Sequence, residues 1–395
     1  MQSIRICQGA IVWVFCYNTF VRKLFSTLFL FFVFCLSFSL SASAQGSESF
    51  PPPPEVAETY LKARVIKIVD EGEEEIVGKF YPFQKVQVEI LNGEEKGETI
   101  TIEHGGTTTL SESEKVQKGD SVVLRKTTIE GKTPIYVISD RYRLHTIMFL
   151  LGGFFLLVTL VAGKKGIGAI IGMLISLFII LQLLVPQILS GANPITTSIT
   201  CAILIMTITM FLAHGVSLQT ATALFTTTLT LFLTGVFAFF TVSIAHMTGL
   251  GSEDIYMLQF GLQQINTQGL LLGGIIIGAL GVLDDITTTQ TATIFTLAKT
   301  NKALTFAELM KKGMHIGKEH VASLVNTLVL AYAGASLGLF ILFVLNPIKQ
   351  PSWVILNSEV ITEEVIRTIV GSTGLVLAVP IATVLAAYVA VKLRH

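Results

Sequence analysis

Cysteine is almost absent beyond the first segment of the chain: Cys7, Cys16 and Cys35 precede residue 45, and Cys201 lies in an apolar run. A disulfide framework and a cysteine metal site are therefore excluded from anything the chain exports. Charge is also scarce, at 14% of residues against 51% hydrophobic, with a mean hydropathy of +0.69. That balance excludes an ordinary soluble enzyme. No Walker A loop, nucleophile elbow or Rossmann glycine pattern is present. "HIGKEH" (residues 315–320) approaches the H-x-x-E-H signature, but its histidines are five apart. That offset, about 140° round a helix, prevents both from binding one ion as i, i+4 histidines do. No basic patch exceeds the load expected of cytoplasmic loops, which argues against nucleic-acid binding. The expectation is a protein that is not an enzyme and has no cofactor and no metal.

What charge there is lies unevenly. Residues 45–143 hold 13 Lys/Arg against 18 Asp/Glu, whereas residues 144–395 hold 11 against 9. Before this module, Arg22 and Lys23 precede the apolar run "LFSTLFLFFVFCLSFSL" and then "SASAQG", where Ala42 and Ala44 satisfy the small-residue rule for cleavage. Residues 1–44 read as a signal peptide with a long leader, an uncleaved anchor being the alternative. Either way residues 45–143 are expected outside the cytoplasm. Cys35 lacks the small residue before it that a lipoprotein signal wants.

Residues 45–58, with Pro51 to Pro54, form a Pro-rich linker of polyproline II type. From 59 to 140 hydrophobic residues alternate at period two in "YLKARVIKIV", "QKVQVEIL", "GETITIE", "DSVVLRKT" and "PIYVIS", separated by "NGEEKG", "KGD" and "EGK". Such spacing predicts a small closed barrel of the OB or SH3-like sort. His104 reads as a solvated loop residue.

Beyond Arg143 the pattern changes to long apolar runs. Spans are predicted at 144–162, 167–185, 195–213, 219–244, 269 to about 290, 320–345 and 368–391. The fold class is thus mainly α: a polytopic membrane bundle of about seven helices, six or eight being alternatives, with an extracytoplasmic all-β module. With that module outside, nine cations fall inside (Lys164, Lys165, Lys299, Lys302, Lys311, Lys312, Lys318, Lys392, Arg394) and two outside (Lys349, Arg367). The positive-inside rule therefore supports a multi-pass protein of a bacterial inner or plasma membrane, with a cytoplasmic C-terminus. Gly168 with Gly172, Gly274 with Gly278 and Gly334 with Gly338 have the small-xxx-small spacing of tight helix seams.

Two polar clusters interrupt the apolar runs. In "GALGVLDDITTTQTATIF" (278–295), Asp284 and Asp285 follow about 15 apolar residues, or roughly 22 Å of helix, short of a bilayer core of roughly 30 Å. A continuous helix would bury both acids, and an acid in lipid needs water, a partner or a function. A break after Gly278 and Gly281 would instead let Asp285 cap a new helix. The threonine face at Thr287, Thr288, Thr291 and Thr293 favours a polar cavity. In "MHIGKEHVASLVNTLVLAYAG" (314–334), Glu319, His320 and Asn326 form the second candidate site, as a loading point for a proton or cation or as a helix end favoured by the dipole. His214 and His246 read as interfacial histidines.

"QKVQVEILNGEEKGETI" with "KGDSVVL", "GALGVLDD", and "MHIGKEHVASLVNTLVLAYAGASL" together resemble the YibE/F-like family of bacterial multi-spanning membrane proteins. The resemblance implies a helical membrane domain over 144–395 with an extracytoplasmic N-terminal module. It further implies that Asp284, Glu319, His320 and Asn326 match recurrent polar positions. Asp285 and the threonines after it stand outside that pattern. The leading expectation is a transporter or permease of a small solute or ion, proton-coupled, working through Asp284, Asp285, Glu319, His320 and Asn326. A non-transporting envelope scaffold or sensor whose β module binds a partner is the alternative. Membrane lipid is the expected surrounding, and a homo-oligomer is allowed for.

Overall fold

The computed structural model describes residues 57–76, 79–105, 110–128, 133–251, 255, 265–346 and 349–392. The leader and most of the Pro-rich linker lie outside the described residues. Two compact units result, one within Ser43–Leu157 and one from Val158 onward.

The first unit is built on one antiparallel sheet. Its strands are β1 (Ala57–Ile76), β2 (Lys79–Ile90), β3 (Thr99–His104), β4 (Ser121–Thr128) and β5 (Ile135–Arg141). Each predicted alternating run forms one of them. On β2 the period-two pattern puts Val86, Val88 and Ile90 at 0% exposure, and they pack against Ala63, Val65, Val122 and Leu124. Gln84 joins this core because its amide imitates a strand: Oε1 accepts from Val116 N–H at 2.8 Å and Nε2 donates to Val116 C=O at 3.2 Å.

The expected closed barrel is not formed. The strand order is β3-β2-β1-β4-β5, which leaves β3 and β5 as edges. They approach each other without sharing a ladder. The two edges are offset along the sheet. β4 pairs with β1 over Ala57 to Arg64, whereas β3 pairs with the part of β2 that faces the next stretch of β1. The edges thus lie against different lengths of the long first strand.

The second unit holds the helices. Helix α1 (Leu144–Ile179) begins in the first unit, bends at Gly163 (φ 57°) and runs through a π-helical turn (Ile180–Leu184) into α2 (Val185–Leu189). Then follow α3 (Pro194–His214), α4 (Leu218–Ile244), α5 (Thr267–Thr300), α6 (Phe306–Ala335), α7 (Leu337–Leu345), α8 (Ser352–Leu356) and α9 (Glu359–Lys392). Four of these starts are capped by side chains: Asn193 accepts from Ile195 N–H, Ser217 from Thr220 N–H, Asn266 from Gly269 N–H, and Thr305 forms a capping box with Glu308. Five helices are long and apolar enough to cross a membrane, the 46 residues from Leu144 to Leu189 counting as one. There are six if α6 and α7, bent by 64°, make one span.

Helix α5 is the hub, packing against α3, α4, α6 and α9. Glycines set how close these neighbours come. A Cβ at Gly273 would overlap Ser198 Oγ of α3; at Gly374 of α9, Thr234 of α4; at Gly313 and Gly317 of α6, Ile294 of α5 and Val379 of α9. Gly168 and Gly172 face Leu212 and Thr209 of α3, as their spacing predicts. The other two predicted seams fail. Gly274, Gly334 and Gly338 have no atom within 4 Å of the Cβ position, and Gly278 meets only the Tyr332 hydroxyl at 3.8 Å. The α6 seam instead uses Gly313 and Gly317, which have the same spacing.

Two outcomes are expected. Gly317→Ala, measured by thermal unfolding in detergent, should destabilise by about 1–3 kcal/mol through overpacking, while Gly334→Ala should be neutral or slightly stabilising. In the sheet, the Lys126 ammonium and the Tyr136 hydroxyl bind Glu95 and hold its carboxyl below the usual range. Its contribution is then complete above the ordinary glutamate pKa and is lost as pH falls through the lowered value. Protection of the β4 and β5 amides in the full chain, with exchange rates corrected for their intrinsic pH dependence, should fall as pH drops below about 4.5, and Glu95→Gln should flatten that limb.

Candidate functional site

The 34 residues of α5 form one unbroken helix, and Asp284 and Asp285 sit close to its midpoint. Of the two alternatives, the break after Gly278 and Gly281 does not occur, so Asp285 caps nothing. Glycine's loss of about 1 kcal/mol per residue is small beside leaving backbone groups unpaired in apolar surroundings.

Successive positions turn these acids to different environments. Asp284 is half-buried, and Thr288 Oγ1 donates to it at a long 3.5 Å. Asp285 is exposed and close enough for its charge to act on His214, the last residue of α3. Neither acid has a salt bridge among the described residues.

The inner face of α5 carries a sealed polar seam. Thr287 Oγ1 lies 2.6 Å from Thr227 Oγ1 of α4 while also bonding Leu283 C=O at 2.8 Å. On α4, Thr226, Thr230 and Thr234 each donate to the carbonyl four residues back at 2.8 Å, so a helix face of hydroxyls is buried with its donors satisfied. Gln290, at 0% exposure, donates from Nε2 to Gly313 C=O of α6 and to Thr383 Oγ1 of α9, both at 2.8 Å. Gln290 Oε1 and Thr291 Oγ1 are buried with no partner among the described residues.

The second predicted cluster does not join the first. On α6, Glu319 and Asn326 are exposed and His320 is half-buried with Nδ1 unpartnered. No hydrogen bond or ion pair among the described residues links Glu319, His320 or Asn326 to Asp284 or Asp285. A different set of polar groups gathers on α5 just beyond the acids. A cleft of about 480 Å³ is lined by Lys165, His214, Gln219 and the outer threonines of α5 from Thr288 to Thr296. A second, of about 360 Å³, lies across Gln219 and includes Ser217, Lys299 and Lys302.

The opposite end of the bundle is acidic. Glu359 accepts from the N–H groups of Thr248 (2.6 Å) and Gly249 (2.7 Å) and from the Thr248 hydroxyl, and Glu363, only 5% exposed, accepts from Gly251 N–H at 3.0 Å. Two carboxylates one turn apart on α9 thereby fix the backbone that leaves α4.

A family model described as YibE/F-like protein matches residues 150–392, and one described as the YibE/F family N-terminal domain matches residues 58–140. The chain belongs to the YibE/F-like family. No curated protein and no solved structure matches it. Family and apolar helices together point to a membrane protein.

In this YibE/F-like protein, the sequence reasoning overlooked the α4 threonines, Gln290, Thr383, Glu363 and the cleft residues Lys165, His214 and Gln219. One signal was available: Thr222, Thr226, Thr230 and Thr234 repeat every four residues along α4, a stripe rather than scattered hydroxyls. Gln290 follows the acids on the same helix and had no comparable pattern. Because Gln290 and Thr383 share one hydrogen bond, Gln290→Leu and Thr383→Val should each destabilise the detergent-solubilised protein. A double-mutant cycle should give a coupling of about 0.6 kcal/mol, and no more than roughly 1.7.

Proposed function

We propose that this YibE/F-like protein is a permease or transporter of a small solute or ion, coupled to proton movement through Asp284. One observation carries the reading: a half-buried acid at mid-helix in a long apolar segment, with no cation paired to it among the described residues, on the helix that borders a polar cleft. An acid so placed gains by exchanging a proton as its surroundings change. Thr287 and Gln290 lie on the buried face of α5, away from the exposed Thr289 of the cleft.

The same reading supplies a topology. The bend at Gly163 divides the 46 residues from Leu144 to Leu189 into two spans, which with α3, α4, α5, the bent pair α6–α7 and α9 makes seven. Lys165, His214, Lys299 and Lys302 then mark the cytoplasmic end, and Glu359 with Glu363 the outer end, in accord with the positive-inside rule. The bacterial inner or plasma membrane is the setting. Glu319, His320 and Asn326, which do not meet the acids, are assigned to a separate α6 surface.

The test uses proteoliposomes containing a pH-sensitive dye and an imposed proton gradient. The wild-type chain should dissipate the gradient faster than empty vesicles, Asp284→Asn should reduce the difference at least tenfold, and Asp285→Asn should reduce it less. Equal and full activity in both variants defeats the proposal.

A further inference from the structure

The cleft beside α5 has a composition that transport of a generic solute does not require. Lys165 stands two residues beyond the bend at Gly163. His214 ends α3, and Gln219 lies just past the Ser217 cap of α4. Three separate helix ends thus deliver an ammonium, an imidazole and an amide to one concavity of about 480 Å³. Lys165 makes no ion pair and no hydrogen bond among the described residues. The hydroxyls opposite divide by role. Thr293 and Thr296 donate to their own helix, to Thr289 C=O at 2.9 Å and Ala292 C=O at 2.8 Å, and so present lone pairs. Thr289 is exposed and donates to no described group, which leaves its proton for a guest.

Four donors of different kinds and one uncompensated positive charge suit an oxyanion. The acid closest by charge, Asp285, acts on His214 but does not line the cleft. The volume lies within the usual range for small-ligand sites, about 300–1,000 Å³, and exceeds what a bare ion fills. We infer that this cleft binds a phosphate or carboxylate group, with Lys165 as its charge partner and His214, Gln219 and Thr289 as hydrogen-bond donors. The group belongs either to a free solute or to the headgroup of an anionic lipid. This deepens the permease reading and rests on it only for the claim that a bound solute moves on.

The experiment uses the full chain. In detergent, thermal unfolding and calorimetric titration with inorganic phosphate, against chloride at matched ionic strength, should show stabilisation and saturable binding. Lys165→Gln should weaken that binding at least about tenfold, the loss expected for one charged hydrogen-bond partner. Lys164→Gln, which alters the adjacent charge outside the cleft lining, should not. In nanodiscs, replacing zwitterionic by anionic phospholipid gives the second arm: stabilisation that depends on Lys165, with no effect of phosphate, supports the site and names a headgroup as its occupant. No Lys165-dependent effect in either arm, or equal weakening by Lys164→Gln, overturns the inference. The two readings fail separately. Phosphate binding that persists in Asp284→Asn, with proton flux unchanged by that substitution, sinks the permease alone. Flux that depends on Asp284 without any Lys165-dependent binding sinks the cleft alone.

Discussion

Everything in the helical unit depends on how closely α5 can be approached. Among apolar helices in apolar surroundings, hydrophobicity gives one contact little advantage over another, so close packing and satisfied polar groups must choose the arrangement. Here glycines do the choosing. Gly273 of α5 admits Ser198, Gly374 of α9 admits Thr234, and Gly313 and Gly317 of α6 admit Ile294 and Val379. A side chain at any of these positions would push a neighbour outward and break the polar contacts that need near approach, above all Gln290 with Gly313 and Thr383.

Close approach also makes the buried hydroxyls tolerable. A threonine in an apolar interface is costly unless its proton is used, and Thr226, Thr230 and Thr234 use theirs on their own helix. Among the described threonines, Thr287 and Thr227 meet across the α4–α5 gap, at 2.6 Å. The seam is therefore polar in composition yet nearly closed in hydrogen bonding. Gln290 Oε1 and Thr291 Oγ1 are buried there without a partner among the described residues.

The legible part of this molecule was whatever repeats. The five alternating runs became the five strands, because period two maps directly onto the two faces of a sheet. The apolar runs became long helices for the same kind of reason. Closure of the sheet was not legible, since it depends on where along a 20-residue β1 each partner pairs, and alternation is silent about offset. Glycine spacing gave candidates without saying which face was covered: 168/172 lies on a seam, and 334/338 lies on none. Asp284 and Asp285 were conspicuous as charges, but the sequence left open whether the helix broke at them. Lys165, His214 and Gln219 were hidden for a different reason. They lie about 50 residues apart or at separate helix ends, and only the antiparallel return of α3 and α4 brings them together.

The bonding also divides the unit unequally. Across α4, α5, α6 and α9 run the Thr227–Thr287 contact, the Gln290 bonds and the carboxylate clamps of Glu359 and Glu363. Between this group and the pair formed by α3 and the later part of α1, the contacts are of another kind: Gly273 against Ser198, and a weak bond from Thr228 to the Met206 sulfur at 3.9 Å. One body is interlocked by polar bonds, and the other packs on it through an apolar core in which Ile179, Ile205 and Met206 meet Leu231, Ile276 and Leu283. The cleft lies on that boundary, with Lys165 and His214 from one body and Gln219 and the α5 threonines from the other. Asp284 lies on the helix that borders it. In the permease reading, a shear between these bodies would change the space around the guest and the water available to Asp284 in the same movement, which couples a bound anion to a proton without a direct contact between them.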